Sequence, residues 1–339
     1  MSVQVSLRVD ERIELLYSVL IFTSWRKVGV WRGECFYKDD MLNFFKPYND
    51  HSSVRFCEEL IRSGFAFDAM HGFMMHLSVP GFEVSIPFPK DLTERVRDVG
   101  VLMEFAEALK TFYLDSDFME FWSSHTGFYR VMEENSRRYI KPVEMVRILE
   151  DYFGAKKESY RIILLPLSRF SYGYCIDDLT AYAFIAPTGI GDDGVPEYRS
   201  LDPVIHELSH SFIDPLTEEF SGDFKNPENL LKPVRSKVKK VMGELLEPTG
   251  VDEKTVEKAC EDWKYYVNEH LVEAVKLKIA EQLGFLDPSK LENMFSYYEE
   301  RGFVYMRPVY NILSRYDRSK YESFRNFYPE IINALNRLA

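Results

Sequence analysis

The segment Ser200-Leu-Asp-Pro-Val-Ile-His206-Glu207-Leu-Ser-His210-Ser-Phe212 carries the pattern H-E-x-x-H. Asp202 is suited to cap a helix, and Pro203 fits the first helical position, where its missing N–H removes no hydrogen bond. A helix is therefore predicted to begin here. His206 and His210 then lie on one face, one turn apart, which is the spacing at which two imidazoles bind one zinc ion.

Glu207 is displaced by about 100° around the helix axis from His206, which takes it away from the line of metal ligands and suits it to act as a general base. The flanking residues of this helix are apolar, so the helix is predicted to be largely buried. The alternative interpretation is a pair of core histidines without a metal. Because buried polar groups are costly when unpaired, that arrangement needs several dedicated partners.

A catalytic zinc site needs a third protein ligand, and the segment 263–274 supplies two carboxylates on one face of a predicted helix. Glu269 is predicted as the third ligand. Glu273 is predicted to orient a histidine through its outer ring nitrogen, although the choice of ligand between the two carboxylates stays open. The alternative is that both are solvated surface glutamates.

The pattern of apolar residues differs between other parts of the chain. Two short apolar, β-branched runs at 161–166 and 181–186 predict a small sheet. The first 150 residues and the part beyond Asp202 read as mostly helical, with a loop expected at 214–227. The predicted fold is α+β, with a mainly helical region at 1–155 and a region at 156–339 that contains the small sheet, the H-E-x-x-H helix and the C-terminal helices.

Composition excludes some classes of function. The chain has 339 residues, with 54 acidic and 42 basic side chains and a formal charge of −12, which disfavours binding to nucleic acid or to an anionic membrane surface. Its four cysteines form no C-x-x-C pair, so neither a zinc ribbon nor a thioredoxin-like motif is predicted. Without a recognisable signal peptide or bilayer span, the expected location is the cytoplasm.

H-E-L-S-H at 206–210, followed downstream by N-E-x-L at 268–271, resembles the gluzincin class of zinc metallopeptidases. This resemblance implies a small sheet packed on the H-E-x-x-H helix. The chain resembles more closely an uncharacterised prokaryotic group of gluzincin-like domains of unknown function. The features that carry this resemblance are 10–16, the region of His51, Tyr172-Gly173, 206–212 with Pro215, 269–272 and Gly302-Phe303. Glu273 departs from that group, where a basic residue is expected.

The resemblance implies a zinc cofactor held by His206, His210 and Glu269, with Glu207 as the general base that acts on zinc-activated water. A peptide or protein substrate would lie along an edge strand of the sheet, a role expected for 182–186. A tyrosine that follows the third ligand would stabilise the oxyanion. Tyr298 and Tyr310 are alternatives to Tyr305, which is the predicted residue.

The predicted function is therefore that of a zinc metallopeptidase. Two alternatives remain at this stage. One is zinc-dependent hydrolysis of a non-peptide substrate, and the other is a catalytically inactive, zincin-like protein that serves as a binding module. The retained Glu207 disfavours the second, because a purely structural zinc site needs no base. The oligomeric state is left open.

Overall fold

A small mixed β-sheet lies between two sets of helices. The structure is a computed structural model that describes residues 3–339. The sheet has the strand order β1-β2-β4-β3, in which β1, β2 and β4 are parallel and β3 runs antiparallel to β4. Its strands are β1 (Gln4–Arg8), β2 (Ser159–Leu164), β3 (Tyr172–Cys175) and β4 (Thr180–Ile185). A two-stranded ribbon follows, formed by β5 (Gly189–Ile190) and β6 (Pro196–Glu197).

The helices before β2 form the larger part of the first half of the chain. Helix α1 ends at Leu20 and is followed by a 3-10 turn, with Thr23 capping that turn. These helices are α1 (Glu11–Leu20), α2 (Phe36–Phe45), α3 (Ser52–Arg62), α4 (Asp68–Met75), α5 (Lys90–Thr93), α6 (Val99–Asp115), α7 (Phe118–Ser124), α8 (Thr126–Ile140) and α9 (Pro142–Phe153).

The part of the chain after the sheet is helical, as predicted. Its helices are α10 (Asp202–Glu219), α11 (Arg235–Leu246), α12 (Glu253–Ala259), α13 (Trp263–Gln282), α14 (Leu291–Glu300), α15 (Met306–Leu313) and α16 (Phe324–Leu335). Short 3-10 segments lie at Ser24–Lys27, Lys46–Tyr48, Ser221–Asp223, Pro227–Leu230, Glu247–Thr249 and Pro288–Lys290. The predicted α+β class, mostly helical with a small mixed sheet, is confirmed.

Helix α10, which carries H-E-x-x-H, differs from the prediction at both ends. Asp202 is its first residue rather than its cap, and the Ser200 hydroxyl accepts from the Asp202 N–H at 3.2 Å. The loop predicted from residue 214 is wrong, because the helix continues through Pro215 to Glu219. Beyond the proline, Thr217 is fully buried and bonded to Asn268 and Tyr328, and this burial offsets the backbone bond that proline removes.

The sheet packs directly on α10 at Gly173 in β3. A Cβ atom at this position would lie 2.7 Å from the Glu207 carbonyl oxygen and 3.3 Å from the His210 Cβ. Only glycine therefore permits this distance between strand and helix. The prediction that the sheet lies against the H-E-x-x-H helix holds at this contact.

The edge strand beside α10 is β3 and not the strand near 182–186. Strand β4 lies between β2 and β3 and is paired on both sides, so its backbone has no free edge to offer an extended substrate. The expectation for 182–186 is wrong for this reason. Among the described residues 3–339, β3 has a strand neighbour on one side alone.

The N-terminal helices enclose a buried carboxyl group at Glu14 in α1. Its Oε2 accepts a hydrogen bond from the Tyr37 hydroxyl, and its Oε1 is buried and has no hydrogen-bond partner within residues 3–339. Burial raises the pKa of Glu14 to about 8, despite the bond from Tyr37. The folded protein therefore holds Glu14 protonated over a pH range in which the unfolded chain ionises it.

No helix of residues 3–339 is both long enough and apolar enough to cross a lipid bilayer.

Replacing Gly173 with alanine is expected to lower the free energy of unfolding by about 1–3 kcal/mol, because the added methyl group forces β3 away from α10. Urea denaturation measures this change. Gly189→Ala is the matched control, since a Cβ there meets nothing within 4 Å. Equal stability of the Gly173→Ala variant and the wild type would show that the contact is not tight.

Glu14→Gln is expected to remove a pH dependence of stability. Because the folded state binds the Glu14 proton more tightly than the unfolded state does, wild-type stability falls as pH rises from about 4.5 to about 8, by a few kcal/mol at most. The variant should match the wild type near pH 5 and exceed it near pH 8 in urea denaturation. The exposed Glu144→Gln serves as control. Parallel pH profiles for wild type and Glu14→Gln would refute this account.

Candidate metal centre

Helices α10 and α13 pack against each other and carry the three predicted metal ligands. Helix α13 begins after Asp262, whose carboxylate caps it by accepting from the Lys264 N–H at 2.9 Å. Apolar residues on several faces bury α13 in the core, among them Leu271 and Val275. The packing places Glu269 opposite the histidine face of α10.

The side chains of three residues on these helices converge. His210 Nε2 lies 3.3 Å from His206 Nε2 and 3.5 Å from Glu269 Oε1. His206 Nε2 lies 3.6 Å from Glu269 Oε2. All three side chains are mostly buried, with 14–17% of each exposed. The structure thus brings together the three residues that the sequence predicted.

These separations fit one zinc ion. Ligand bonds of 2.0–2.1 Å in tetrahedral geometry place ligand atoms about 3.3 Å from one another. Two imidazole nitrogens and one carboxylate oxygen are also the protein donors of a common class of catalytic zinc site, which leaves a fourth position open. Glu269, and not Glu273, supplies the carboxylate that faces the two Nε2 atoms, with Oε2 toward His206 and Oε1 toward His210.

Each histidine is oriented by a carboxylate on its other ring nitrogen. His206 Nδ1 lies 3.0 Å from Glu273 Oε1, and His210 Nδ1 lies 3.1 Å from Asp214 Oδ1. An Nδ1–H that donates to a carboxylate leaves the Nε2 lone pair directed at the metal position. Such carboxylate–histidine pairs are typical partners of zinc ligands.

Glu273 is held in place by a basic and a phenolic side chain. Its Oε2 lies 2.6 Å from Lys276 Nζ and accepts a hydrogen bond from the Tyr298 hydroxyl. Burial alone would raise the pKa of Glu273, but His206 and Lys276 outweigh burial and lower it well below its usual range. Glu273 is therefore ionised and stays available to His206. The group that the chain resembles is expected to carry a basic residue at position 273. Here Lys276, one turn later on α13, places a basic side chain beside Glu273.

The carboxylates also control the protonation of the two histidines. Burial opposes protonation of His210, but Asp214, Glu269 and Glu207 outweigh it and raise the pKa of His210 to about 10. Burial also opposes protonation of His206, but Glu207, Glu273 and Glu269 outweigh it and raise the pKa of His206. Without a metal, protons therefore supply the positive charge that this acidic site requires. A metal ion bound at this position would have to displace them, so its binding would release protons.

Glu207 lies beside the ligand cluster and is buried, with 8% of the residue exposed. No residue in 3–339 gives its carboxylate a hydrogen bond. Burial raises the pKa of Glu207 to about 7, although the two histidines lower it. A carboxylate with this pKa can accept and return a proton near neutral pH.

The three tyrosines considered for the oxyanion role lie in different surroundings. The Tyr298 hydroxyl donates to Glu273, and the Tyr310 hydroxyl donates to Glu281 at 2.9 Å. The ring of Tyr305 packs near the His270 ring, with 5.8 Å between the ring centres. Nothing in these contacts tests the role of Tyr305, which stays a prediction.

Sequence reasoning missed one residue that contacts a ligand. Asp214 lies four residues after His210, but it was assigned to a loop because Pro215 follows it. The four-residue spacing on a helix was the available signal.

Comparison with known proteins gives a family but no function. The model of the family described as "Domain of unknown function (DUF4932)" matches residues 5–334, and the chain belongs to this family. No curated protein and no solved structure matches the chain significantly.

The wild-type protein is expected to bind close to one zinc ion per chain. Alanine at His206 or at Glu269 should abolish stoichiometric binding, because each change removes one of three converging ligand atoms. Elemental analysis after zinc loading and dialysis measures this. Glu207→Gln should stay loaded, since Glu207 is not a ligand. A wild-type protein that stays metal-free after loading would contradict the assignment of the site.

Proposed function

We propose that this protein is a zinc-dependent metallopeptidase. The observation that carries the proposal is the convergence of His206, His210 and Glu269, with the buried carboxylate of Glu207 beside them. His206, His210 and Glu269 would hold the ion. When bound, zinc would polarise the scissile carbonyl and make water more acidic.

Other residues of the chain would transfer the proton and orient the metal ligands. Glu207 would take a proton from the attacking water and return it to the leaving amine. Its pKa near 7 suits both transfers, because neither protonation state is strongly preferred at neutral pH. Glu273 and Asp214 would hold the imidazoles of His206 and His210 in orientation.

The position of β3 supports a peptide substrate over other hydrolysable groups. This antiparallel edge strand contacts α10 at Gly173, against the backbone carbonyl of Glu207. An extended peptide that adds to the edge of β3 would gain main-chain hydrogen bonds beside the ligand cluster. A small non-peptide substrate would make no use of this edge.

Zinc-loaded wild-type protein is expected to hydrolyse members of a fluorescence-quenched peptide library, and a chelator should stop the reaction. Glu207→Gln is expected to lower kcat about 10²–10⁴-fold, because the amide cannot accept the proton, while zinc content stays unchanged. Glu144→Gln, at an exposed position on α9, is the matched control and should keep full activity.

The alternatives give different results in the same experiment. Hydrolysis of ester or amide model compounds without peptide cleavage would identify a zinc hydrolase with another substrate. A fully zinc-loaded wild type with no turnover, and with Glu207→Gln indistinguishable from it, would refute the peptidase proposal in favour of a binding module.

A further inference from the structure

The two histidines of the candidate metal centre are oriented in different ways. His210 is oriented from its own helix, because Asp214 lies one turn later on α10, and 46% of the Asp214 side chain is exposed. His206 is oriented from another helix, by Glu273 on α13, of which 13% is exposed. The orientation of His206 therefore depends on how firmly Glu273 is itself held.

Glu273 uses its two carboxylate oxygens for different partners. Its Oε1 lies 3.0 Å from His206 Nδ1, whereas its Oε2 lies 2.6 Å from Lys276 Nζ and accepts a hydrogen bond from the Tyr298 hydroxyl. Lys276 belongs to the same helix as Glu273, but Tyr298 comes from α14. Because these contacts at Oε2 restrict the rotation of the carboxylate, they keep Oε1 directed at the imidazole.

The Tyr298 side chain has a fixed position of its own. It is buried, with 9% of the residue exposed, and its ring centre lies 5.8 Å from that of Phe303. Phe303 in turn packs on His270 of α13, with 5.0 Å between the two ring centres. The tyrosine hydroxyl is thus placed by packing relative to α13, and a donor placed in this way can hold a carboxylate of that helix in one orientation.

Helix α13 carries a second set of the same three residue types, two turns after the first. Glu281 Oε2 is paired with Lys278 and accepts a hydrogen bond from the Tyr310 hydroxyl at 2.9 Å. Tyr310 is also buried, with 5% of the residue exposed. Along the helix axis, Glu281 lies about 18 Å beyond Glu269, so this second set can stabilise α13 but cannot orient a metal ligand.

On these contacts, and resting on the metal centre of the proposed function, we propose that Tyr298 is a positioning residue. Its hydroxyl fixes Glu273 Oε2, so that Oε1 holds His206 with Nε2 directed at the metal position. The hydroxyl thereby links α14 to the two helices that carry the metal ligands.

The test measures the zinc affinity of the full-length protein by competition with a chromophoric chelator. Tyr298→Phe is expected to weaken zinc binding about 10-fold, because the ring stays and the loss is a hydrogen bond to the carboxylate that orients a ligand. Tyr310→Phe is the matched control, since it removes the same kind of bond from Glu281, and it should leave zinc affinity unchanged. The metal-free forms of the two variants should be similarly stable in urea, so stability would not account for a difference in affinity.

A double-mutant cycle separates positioning through Glu273 from any other effect of Tyr298 on the metal centre. Glu273→Ala keeps the three ligands, so zinc binding stays measurable. In this background Tyr298→Phe should cause no further loss of zinc affinity, because the carboxylate that it positions is absent. Absorption spectra of the cobalt-loaded proteins provide a second readout, which should change in Tyr298→Phe and not in Tyr310→Phe.

Three results would overturn the inference. They are equal zinc affinity of Tyr298→Phe and the wild type, equal losses of affinity in Tyr298→Phe and Tyr310→Phe, and the same loss from Tyr298→Phe with and without Glu273. Unchanged zinc affinity together with a lowered kcat in Tyr298→Phe would assign the hydroxyl to the oxyanion instead.

Neither affinity nor the cobalt spectrum depends on turnover, so the two proposals fail separately. A wild type that binds zinc but hydrolyses nothing removes the peptidase proposal and leaves the role of Tyr298 to be decided by the cycle. A wild type that binds no zinc removes the metal centre and this inference together.

Discussion

The packing of α10 against α13 is the interaction on which the site depends. Buried apolar residues, such as Ile213 and Leu271, supply the driving force for this packing, at about 1.5–3 kcal/mol for each fully buried side chain. The same packing moves imidazoles and carboxylates out of water, which is costly unless each group finds a partner. The pairs that join the two helices meet this requirement, and the Thr217 hydroxyl adds a bond to Asn268 across them.

Pairing alone does not explain why so many charges are gathered at one place. Glu207 and Glu269 raise the pKa values of the two histidines and so retain protons in the cluster. In the proposed metal centre, a divalent ion would replace those protons with a more concentrated charge at the position where the ligand atoms already converge. The arrangement would suit a cation, and the buried Glu207 is the member of the cluster that no structural pair accounts for.

The sequence predicted much of this site because helical spacing determines which side chains share a face. The positions of His206, His210 and Glu269 follow from that rule, and so does the pairing of Glu273 with a histidine. Asp214 was missed because Pro215 suggested the end of a helix. In the fold, α10 continues past this proline because Thr217 is buried in the core. Strands β1 and β3 were missed because each is short, and β3 contains Gly173. The edge position of β3 depends on strand order, which local sequence does not encode.

The parallel pairing of β1 with β2 places Gln4 opposite Ser159. Strand β1 therefore pairs with a strand that is synthesised much later. At about 5–20 residues per second, a ribosome needs on the order of ten to thirty seconds to make the intervening chain. For that time β1 has no native neighbour and could pair with strands of other nascent chains. Its sequence, Gln-Val-Ser-Leu-Arg, alternates polar and apolar residues and ends in the charged Arg8, which disfavours such pairing. Alternation and a terminal charge are general features by which strands disfavour pairing with other chains, and β1 carries both before β2 is made.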